Sequence, residues 1–425
     1  MDPASRRDEI ADVLIESGKI AEVAPGIRGK ADRVIDASGK IVCPGLIDMH
    51  VHLREPGLDE AETIASGAAA AVAGGFTTVA AMPNTAPPVD NVPSVEYVGL
   101  AARRAGLARV YAIGTLSKGR RGLELAELAA MSRAGAVGFS DDGDPVANSN
   151  LMRRAMEYAK MLAKPVISHC EDKSLSGVGV MHEGTVSARL GLPGIPAASE
   201  VVAVSRDVAL AEMTGAHLHV AHVSTAAAVD VIRRARARGV RVTAEATAHH
   251  LTLTDACLLE RDAQGILRFD TNYKMNPPLR TREDVEALRQ GLRDGTIDCI
   301  VSDHAPHSSS RKELEFVDAP FGIIGLETTL PIVITELVLK PGRPGEVLSW
   351  MDALAALTAN PARILGTGGG TLAVGAAADV TVIDPDCEWT IDVGRFRSRS
   401  ANSPLHGKKV KGKAAYVVVG GELKT

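Results

Sequence analysis

Aromatic rings are scarce in this sequence: six Phe, five Tyr and two Trp make up 3% of 425 residues. So few rings argue against a stacking platform for single-stranded nucleic acid. Neither sign of charge dominates. With 47 Lys+Arg against 52 Asp+Glu the net charge is −5, so no broad basic field exists to hold a polyanion. Cysteine is sparse and scattered, with Cys43, Cys170, Cys257, Cys299 and Cys387 forming no CxxC pair. That argues against both a thiolate zinc site and a disulfide framework and fits a reducing compartment. Long hydrophobic runs are missing as well. The alanine-rich stretch 68–75 is too short and too broken by glycine to span a bilayer, and the opening MDPASRRDEI has no apolar signal core. The expectation is a soluble, cytoplasmic protein without a membrane or nucleic-acid partner. What the chain does have is 45% hydrophobic residues and twelve His, nearly as many as its aromatics. Its length suits one large α/β unit with a smaller appendage. The histidines direct the search to metal and acid–base chemistry.

Short apolar runs at 47–53, 77–83, 109–115, 136–141, 165–170, 217–223, 241–246 and 298–302 read as strands. Amphipathic stretches such as 62–73, 123–134, 151–163, 197–213 and 226–238 fall between them. Strand followed by helix, about eight times over, predicts a parallel sheet closed into a (β/α)8 TIM barrel. An open doubly wound sheet fits less well, because no GxGxxG opens a helix after the first strand. Residues 10–42 and 371–425 alternate apolar and polar positions instead, with turns at Ser17-Gly18 and Ser38-Gly39. One small β-sandwich domain built from both termini is expected, with 1–43 and 367–425 flanking a barrel at 44–366.

The strongest chemical signal is His50-Val51-His52 at the end of the first barrel strand. Residues i and i+2 of a strand share a face, so both imidazoles can address one ion. Later strands end in Asp141-Asp142, His169, His222 and Asp303. Ligand types gathered at strand carboxyl ends are where barrels build their sites. Nitrogen and oxygen donors without thiolate suit zinc, with manganese or cobalt as alternatives; spacing alone leaves Asp141 and Asp142 equal candidates. Arg54 follows His52 by two residues, and its planar fork suits a carboxylate, the bland alternative being a surface ion pair with Glu55 or Glu60. By strand parity His217 and His219 lie opposite His222 and are expected to pack against helices, and His304 faces away from Asp303. One of His249 and His250 is a candidate pocket residue, while His182 and His406 sit in polar stretches. The arginine-rich segment 232–241 reads as a solvated helix face.

The segments HVHLREP, MPNT, DDG, HCED, HVST, NPPLR and SDHAPH occur in that order, followed by GTLAVGAAADVTVIDP and NSPLHGKKVKGK. From Asp12 to Gly421 the chain thereby resembles the bacterial class I dihydroorotases of the cyclic amidohydrolase superfamily. The resemblance implies His50 and His52 on one metal ion and His169 and His222 on a second. Asp142 then takes the bridging place that a carboxylated lysine fills in hydantoinases, and Asp303 touches metal and shuttles the proton. Arg54, Asn84 and His307 are implied to bind the substrate carboxylate, with His52, Asn276 and the Phe321-Gly322 backbone as further contacts. The implied activity is reversible cyclisation of N-carbamoyl-L-aspartate to L-dihydroorotate in pyrimidine biosynthesis, through metal-activated hydroxide on two zinc ions per subunit. Hydantoinases and allantoinases are the nearest rivals but do not usually carry this Arg or the Asn of MPNT. A second rival, an inactive structural partner of aspartate transcarbamoylase, lacks several of the ligands present here. A homodimer and a transcarbamoylase partner follow from the same resemblance. Relatives usually start with one more apolar strand before a DPA-like turn. A late start or a truncation is therefore expected here, leaving an unpaired edge in the small β-domain.

Overall fold

The computed structural model describes residues 1–28, 31–339 and 348–425. Eight parallel strands stand side by side in chain order: β1 (Leu46–Val51), β2 (Phe76–Ala81), β3 (Arg109–Gly114), β4 (Gly138–Phe139), β5 (Val166–Ser168), β6 (Leu218–Val220), β7 (Val242–Thr247) and β8 (Cys299–Val301). The ring is joined between its first and last strands, where Val51 bridges His304 and the His52 N–H donates to the His304 carbonyl at 2.8 Å. Helices follow the strands in turn: α1 (Ile64–Ala73), α2 (Val92–Ala105), α3 (Leu128–Ala134), α4 (Ser149–Met161), α5 (Ala197–Thr214), α6 (Ala226–Ala237), α7 (Arg282–Arg293) and α8 (Trp350–Leu357). This is the (β/α)8 barrel the alternation predicts.

The strands are short, apolar and covered on both faces, as a parallel barrel requires. Leu46, Val79, Val110, Val166, Leu218, Ala244 and Ile300 pack outward beneath the helices, while Met49, Ala80, Ile113, Ile167, Cys299 and Val301 fill the interior. Helix starts are marked by side chains that satisfy free N–H groups: Thr63 and Ser66 form a capping box on α1, Thr281 and Asp284 another on α7.

Two histidines depart from the parity argument. Leu218 and Val220 point outward, so His217 and His219 face the barrel interior instead of the helices. There His217 Nε2 and His219 Nδ1 lie 2.9 and 2.8 Å from the Thr243 hydroxyl. Parity fails because the regular strand stops at Val220 and His222 adopts φ 29°, which turns its ring out of step with the strand. His182 is also buried, accepting from Arg280 at 3.1 Å, whereas His406 is exposed. On and just after α6, Arg233, Arg234, Arg236 and Arg238 pair with Asp294, Asp230, Asp298 and Glu212, as a solvated face should.

Both chain ends meet beside the barrel. Ile41–Pro44, Val380–Thr390, Lys409–Val419 and Glu422–Leu423 form a four-stranded antiparallel sheet with Ile41–Pro44 at one edge. Against that edge the Met1 amine donates to the Val42 carbonyl at 2.7 Å. The hairpin Asp12–Glu16/Lys19–Ala24 covers the sheet through Ile20, Val380 and Val418, making two layers. Between the two long strands, residues 397–403 return to the barrel mouth. The backbone N–H of Arg399 and the Ser398 hydroxyl donate to Glu62, and Ser400 donates to the Ala61 carbonyl. Among the described residues no helix is long and apolar enough to cross a membrane.

Burial, reinforced by its neighbours His219, Arg241 and Arg363, pushes the His217 imidazole down to about 3. The unfolded chain protonates near its ordinary value of about 6.5, so this residue's stabilisation is complete above that pH and is lost as pH falls toward 3. His217→Gln keeps a donor for Thr243 but cannot titrate. Its unfolding in guanidinium at pH 5 should take up about one proton fewer than wild type. Unchanged uptake in a potentiometric measurement contradicts this assignment.

Candidate metal centre and substrate pocket

The carboxyl ends of five strands converge on one cluster. β1 carries His50, with His52 just beyond it; Asp142, His169, His222 and Asp303 follow β4, β5, β6 and β8. All six side chains are buried. Asp142 lies at the centre: its Oδ1 is 3.6 Å from His50 Nε2 and 3.5 Å from both His169 Nδ1 and His222 Nε2, and its Oδ2 is 3.6 Å from His52 Nε2. Asp303 Oδ1 stands 3.0 Å from His52 Nε2 and 3.6 Å from His50 Nε2. The atoms thus form two overlapping groups, His50–His52–Asp303 and His50–Asp142–His222, each with its donors within 4.8 Å of one another.

These residues fit a divalent cation. His50 Nε2 and Asp142 Oδ1, which face each other in the cluster, are buried with no hydrogen-bond partner, a costly condition unless another group satisfies them. Donor separations near 3.5 Å are those of ligands around an ion at about 2.0–2.2 Å. The electrostatics agree. Burial alone would favour neutral imidazole at His50, yet Glu245, Asp142 and Asp303 hold it well above its ordinary range. Burial likewise opposes ionisation of Asp142, but His50, His169 and His222 keep it well below the usual carboxylate range. Burial works the same way on Asp303, and His50 and His52 bring it down. A field that retains protons on imidazoles is one that draws a cation.

Tertiary contacts separate the aspartate pair. Asp141 turns away, accepting from the backbone N–H groups of Leu116 and Ser117 and from the Ser117 hydroxyl. His304 also turns away, with Nε2 on Glu62 at 3.1 Å and Nδ1 accepting from Gly325. His250 is tied to Thr247 and the Pro277 carbonyl, and neither it nor His249 lines the pocket.

Above the cluster opens a cavity of about 270 Å³, lined by His52, Arg54, Asn84, Asp142, His169, His222, Asn276, Asp303, His307, Phe321 and Gly322 among others. A second hollow, beside Thr335, Trp389 and Lys411, is lined by no histidine among the described residues. Arg54 is buried, its Nε donating to the Pro306 carbonyl and its Nη2 3.4 Å from His307 Nε2. Burial lowers its guanidinium only to about 10, so it stays cationic. No carboxylate among the described residues pairs with it, which disposes of the Glu55 or Glu60 alternative. Asn84 Oδ1 accepts from His52 Nδ1 at 2.8 Å, leaving His52 Nε2 facing the cluster. Arg54, His222 and Asp303 all have positive φ, at 61°, 29° and 47°, backbone strain of the kind that collects at functional sites. Gly322 is required by space, since a Cβ there would stand 2.7 Å from the Ala305 carbonyl.

Several residues of the site carry no sequence signal of their own. Glu171 accepts from His169 Nε2 at 2.9 Å, from Asn276 at 3.0 Å and from Lys173, so Asn276 spends its amide on orienting this carboxylate. Glu245 accepts from His50 Nδ1. Asn402, from the C-terminal segment, accepts from the His307 N–H and donates to the carbonyls of Ala305 and Gly322. Lys312 is buried and donates to the carbonyls of Pro320 and Gly322, which pins the loop bearing Phe321. The tandem HCED offered one clue, a carboxylate two residues from a ligand; the others are joined to the site only through space.

Among solved structures, the L-hydantoinase (dihydropyrimidinase) of Arthrobacter aurescens superposes with a TM-score of 0.84, covering 97% of this chain and 92% of its own at 27% identity. The dihydropyrimidinase of Brevibacillus agri gives 0.79 at 25% identity, over 97% of this chain and 91% of its own. The barrel, the appended sheet and the His/Asp cluster at the carboxyl mouth define an amidohydrolase-type enzyme. A family profile described as Dihydro-orotase-like matches residues 39–228. A dihydroorotase of Pelotomaculum thermopropionicum is 52% identical over 423 residues, and one of Syntrophotalea carbinolica is 51% identical; each alignment covers 100% of this chain and 96% of the relative. The chain belongs to the dihydroorotase family.

Chelator-stripped protein should gain thermal stability when Zn²⁺ is added, by about 2.7 kcal/mol at one hundred times Kd. Asp142→Asn, which removes the central charge, should lose most of that gain in differential scanning calorimetry. An equal gain in the variant would show that the ion binds elsewhere.

Proposed function

We propose that this enzyme is a dihydroorotase, interconverting N-carbamoyl-L-aspartate and L-dihydroorotate in pyrimidine biosynthesis in the cytoplasm. The observation that carries the reading is Arg54: a buried guanidinium that pairs with no carboxylate among the described residues, beside the His/Asp cluster. A small anionic substrate supplies the missing partner, and the bidentate fork of arginine matches its carboxylate. The names of the relatives at about half identity support the same substrate over the hydantoins of the structural neighbours.

His50, His52, Asp142, His169, His222 and Asp303 would hold two divalent cations, zinc first, with manganese or cobalt as alternatives. Such ions supply Lewis acidity to a carbonyl and acidify water at neutral pH. The chain's own groups do the rest. Arg54, Asn84 and His307 grip the substrate carboxylate, while Phe321, Gly322, His52 and Asn276 limit where the ring can lie. His307 is pushed down to about 3 by burial and by neighbouring Arg54, so it stays neutral and contributes hydrogen bonds, not charge. Asp303, kept ionised, accepts a proton from the attacking water and returns it to the departing ring nitrogen. In the cyclising direction the same carboxylate takes the proton from the ureido nitrogen. Assembly as a homodimer and docking to aspartate transcarbamoylase belong to this proposal, and light scattering with and without that enzyme tests both.

Zinc-loaded protein should hydrolyse dihydroorotate; turnover of hydantoin or allantoin with dihydroorotate untouched refutes the assignment. Asp303→Asn should lower kcat by about 10²–10⁴-fold, the usual worth of a positioned proton carrier. Arg54→Met should raise KM for dihydroorotate by about 10–100-fold, the loss of one charge-assisted contact, with zinc content unchanged by elemental analysis. Loss of zinc in that variant would move Arg54 from substrate binding to metal-site support.

A further inference from the structure

Glu245 projects from the inner face of β7 and is wholly buried. Its Oε1 lies 2.5 Å from His50 Nδ1 and also accepts from the backbone N–H of His222 at 3.3 Å. Its Oε2 lies 3.1 Å from His219 Nε2. One carboxylate therefore touches the ring of a residue in the first half of the cluster and the backbone of a residue in the second. Below it, His219 Nδ1 meets the Thr243 hydroxyl, which meets His217 Nε2. With one proton on each imidazole of this column, the bonds have a single self-consistent direction. His217 donates to Thr243, Thr243 to His219, and His219 to Glu245, which is the terminal acceptor from below as it is from His50 above.

We propose that Glu245 is the positioning residue that sets both halves of the metal centre in register. It holds the His50 Nδ1–H toward itself and so presents Nε2, the atom left without a partner, to the cluster. It also anchors the His222 backbone where φ is 29°, keeping that imidazole beside Asp142. Carboxylate–histidine pairs of this kind fix tautomer and ring orientation and raise the donor strength of the ligating nitrogen. The column of His219, Thr243 and His217 occupies the second oxygen, so the carboxylate cannot rotate away from His50. His219, set by parity against the helices, thereby acquires a role inside the barrel.

The inference rests on His50 and His222 being metal ligands, and zinc affinity, read without any turnover, separates the two claims. Apo-protein is titrated with Zn²⁺ against a chromophoric chelator for wild type, Glu245→Gln, Glu245→Asp and His50→Ala. Glu245→Gln keeps the shape but removes the charge and one acceptor. It should weaken both zinc equivalents by roughly 10–100-fold, with the apo circular dichroism spectrum unchanged. A purely structural residue would lower the apo unfolding midpoint and leave affinity alone. Folded Glu245→Gln that binds both equivalents as wild type does, while His50→Ala loses zinc, overturns the role of Glu245 and spares the ligand assignment. His50→Ala that holds zinc like wild type sinks both. If Glu245→Gln does not fold, Glu245→Asp decides by the same criterion, since it keeps the charge but falls one methylene short of spanning His50 and His219.

Discussion

The structure turns on one buried anion, Asp142. A carboxylate removed from water costs several kcal/mol unless opposite charge or hydrogen bonds surround it. Here four imidazoles from three separate strand ends stand within 3.6 Å of its two oxygens. That arrangement exists only if β1, β4, β5 and β6 end at one level, so closure of the barrel and assembly of the cluster are a single requirement. Strain at Arg54, His222 and Asp303 is tolerated because the packed strands beneath over-determine those positions.

Around this centre the fold supplies a graded shell. Glu245, Glu171 and Asn84 each engage the far nitrogen of a cluster histidine, so that the near nitrogen faces inward. Farther out, polar staples lock the loops that shape the pocket. Asn402 ties two of them together through Ala305, His307 and Gly322, and Glu62 and Glu327 hold residues 397–399 against the barrel. The C-terminal segment is thus part of the pocket wall. A region that resembles the family's non-catalytic appendage contributes directly to the geometry of His307 and Gly322.

Legibility in the sequence followed the range of the interaction. Alternating strands and helices are local, and the eight-fold repeat was readable from apolar runs alone. The pair His50 and His52 was readable because period two is a property of any strand. Reasoning by parity broke at His217 and His219, because one residue with positive φ undoes the period downstream and nothing in HLHVAHVS marks it. Asp141 and Asp142 were indistinguishable by spacing; the hydroxyl and N–H groups of Ser117 and Leu116, brought up by the neighbouring strand, claim the first and leave the second for the cluster. Glu245 and Asn402 gave no signal, since each acts on partners distant in the chain.

What the amino-acid order determined by itself was therefore the inventory: which strands form, which imidazoles and carboxylates stand at their ends, and that one arginine accompanies them. Those are consequences of short-range sterics and of burying apolar surface, both written in local pattern. The tertiary structure alone decided which carboxylate sits at the centre, which histidines face inward, and which buried groups aim the ligands. Each of these depends on the pairing of charges and hydrogen bonds across a closed barrel, where a partner two hundred residues away outweighs every neighbour in sequence.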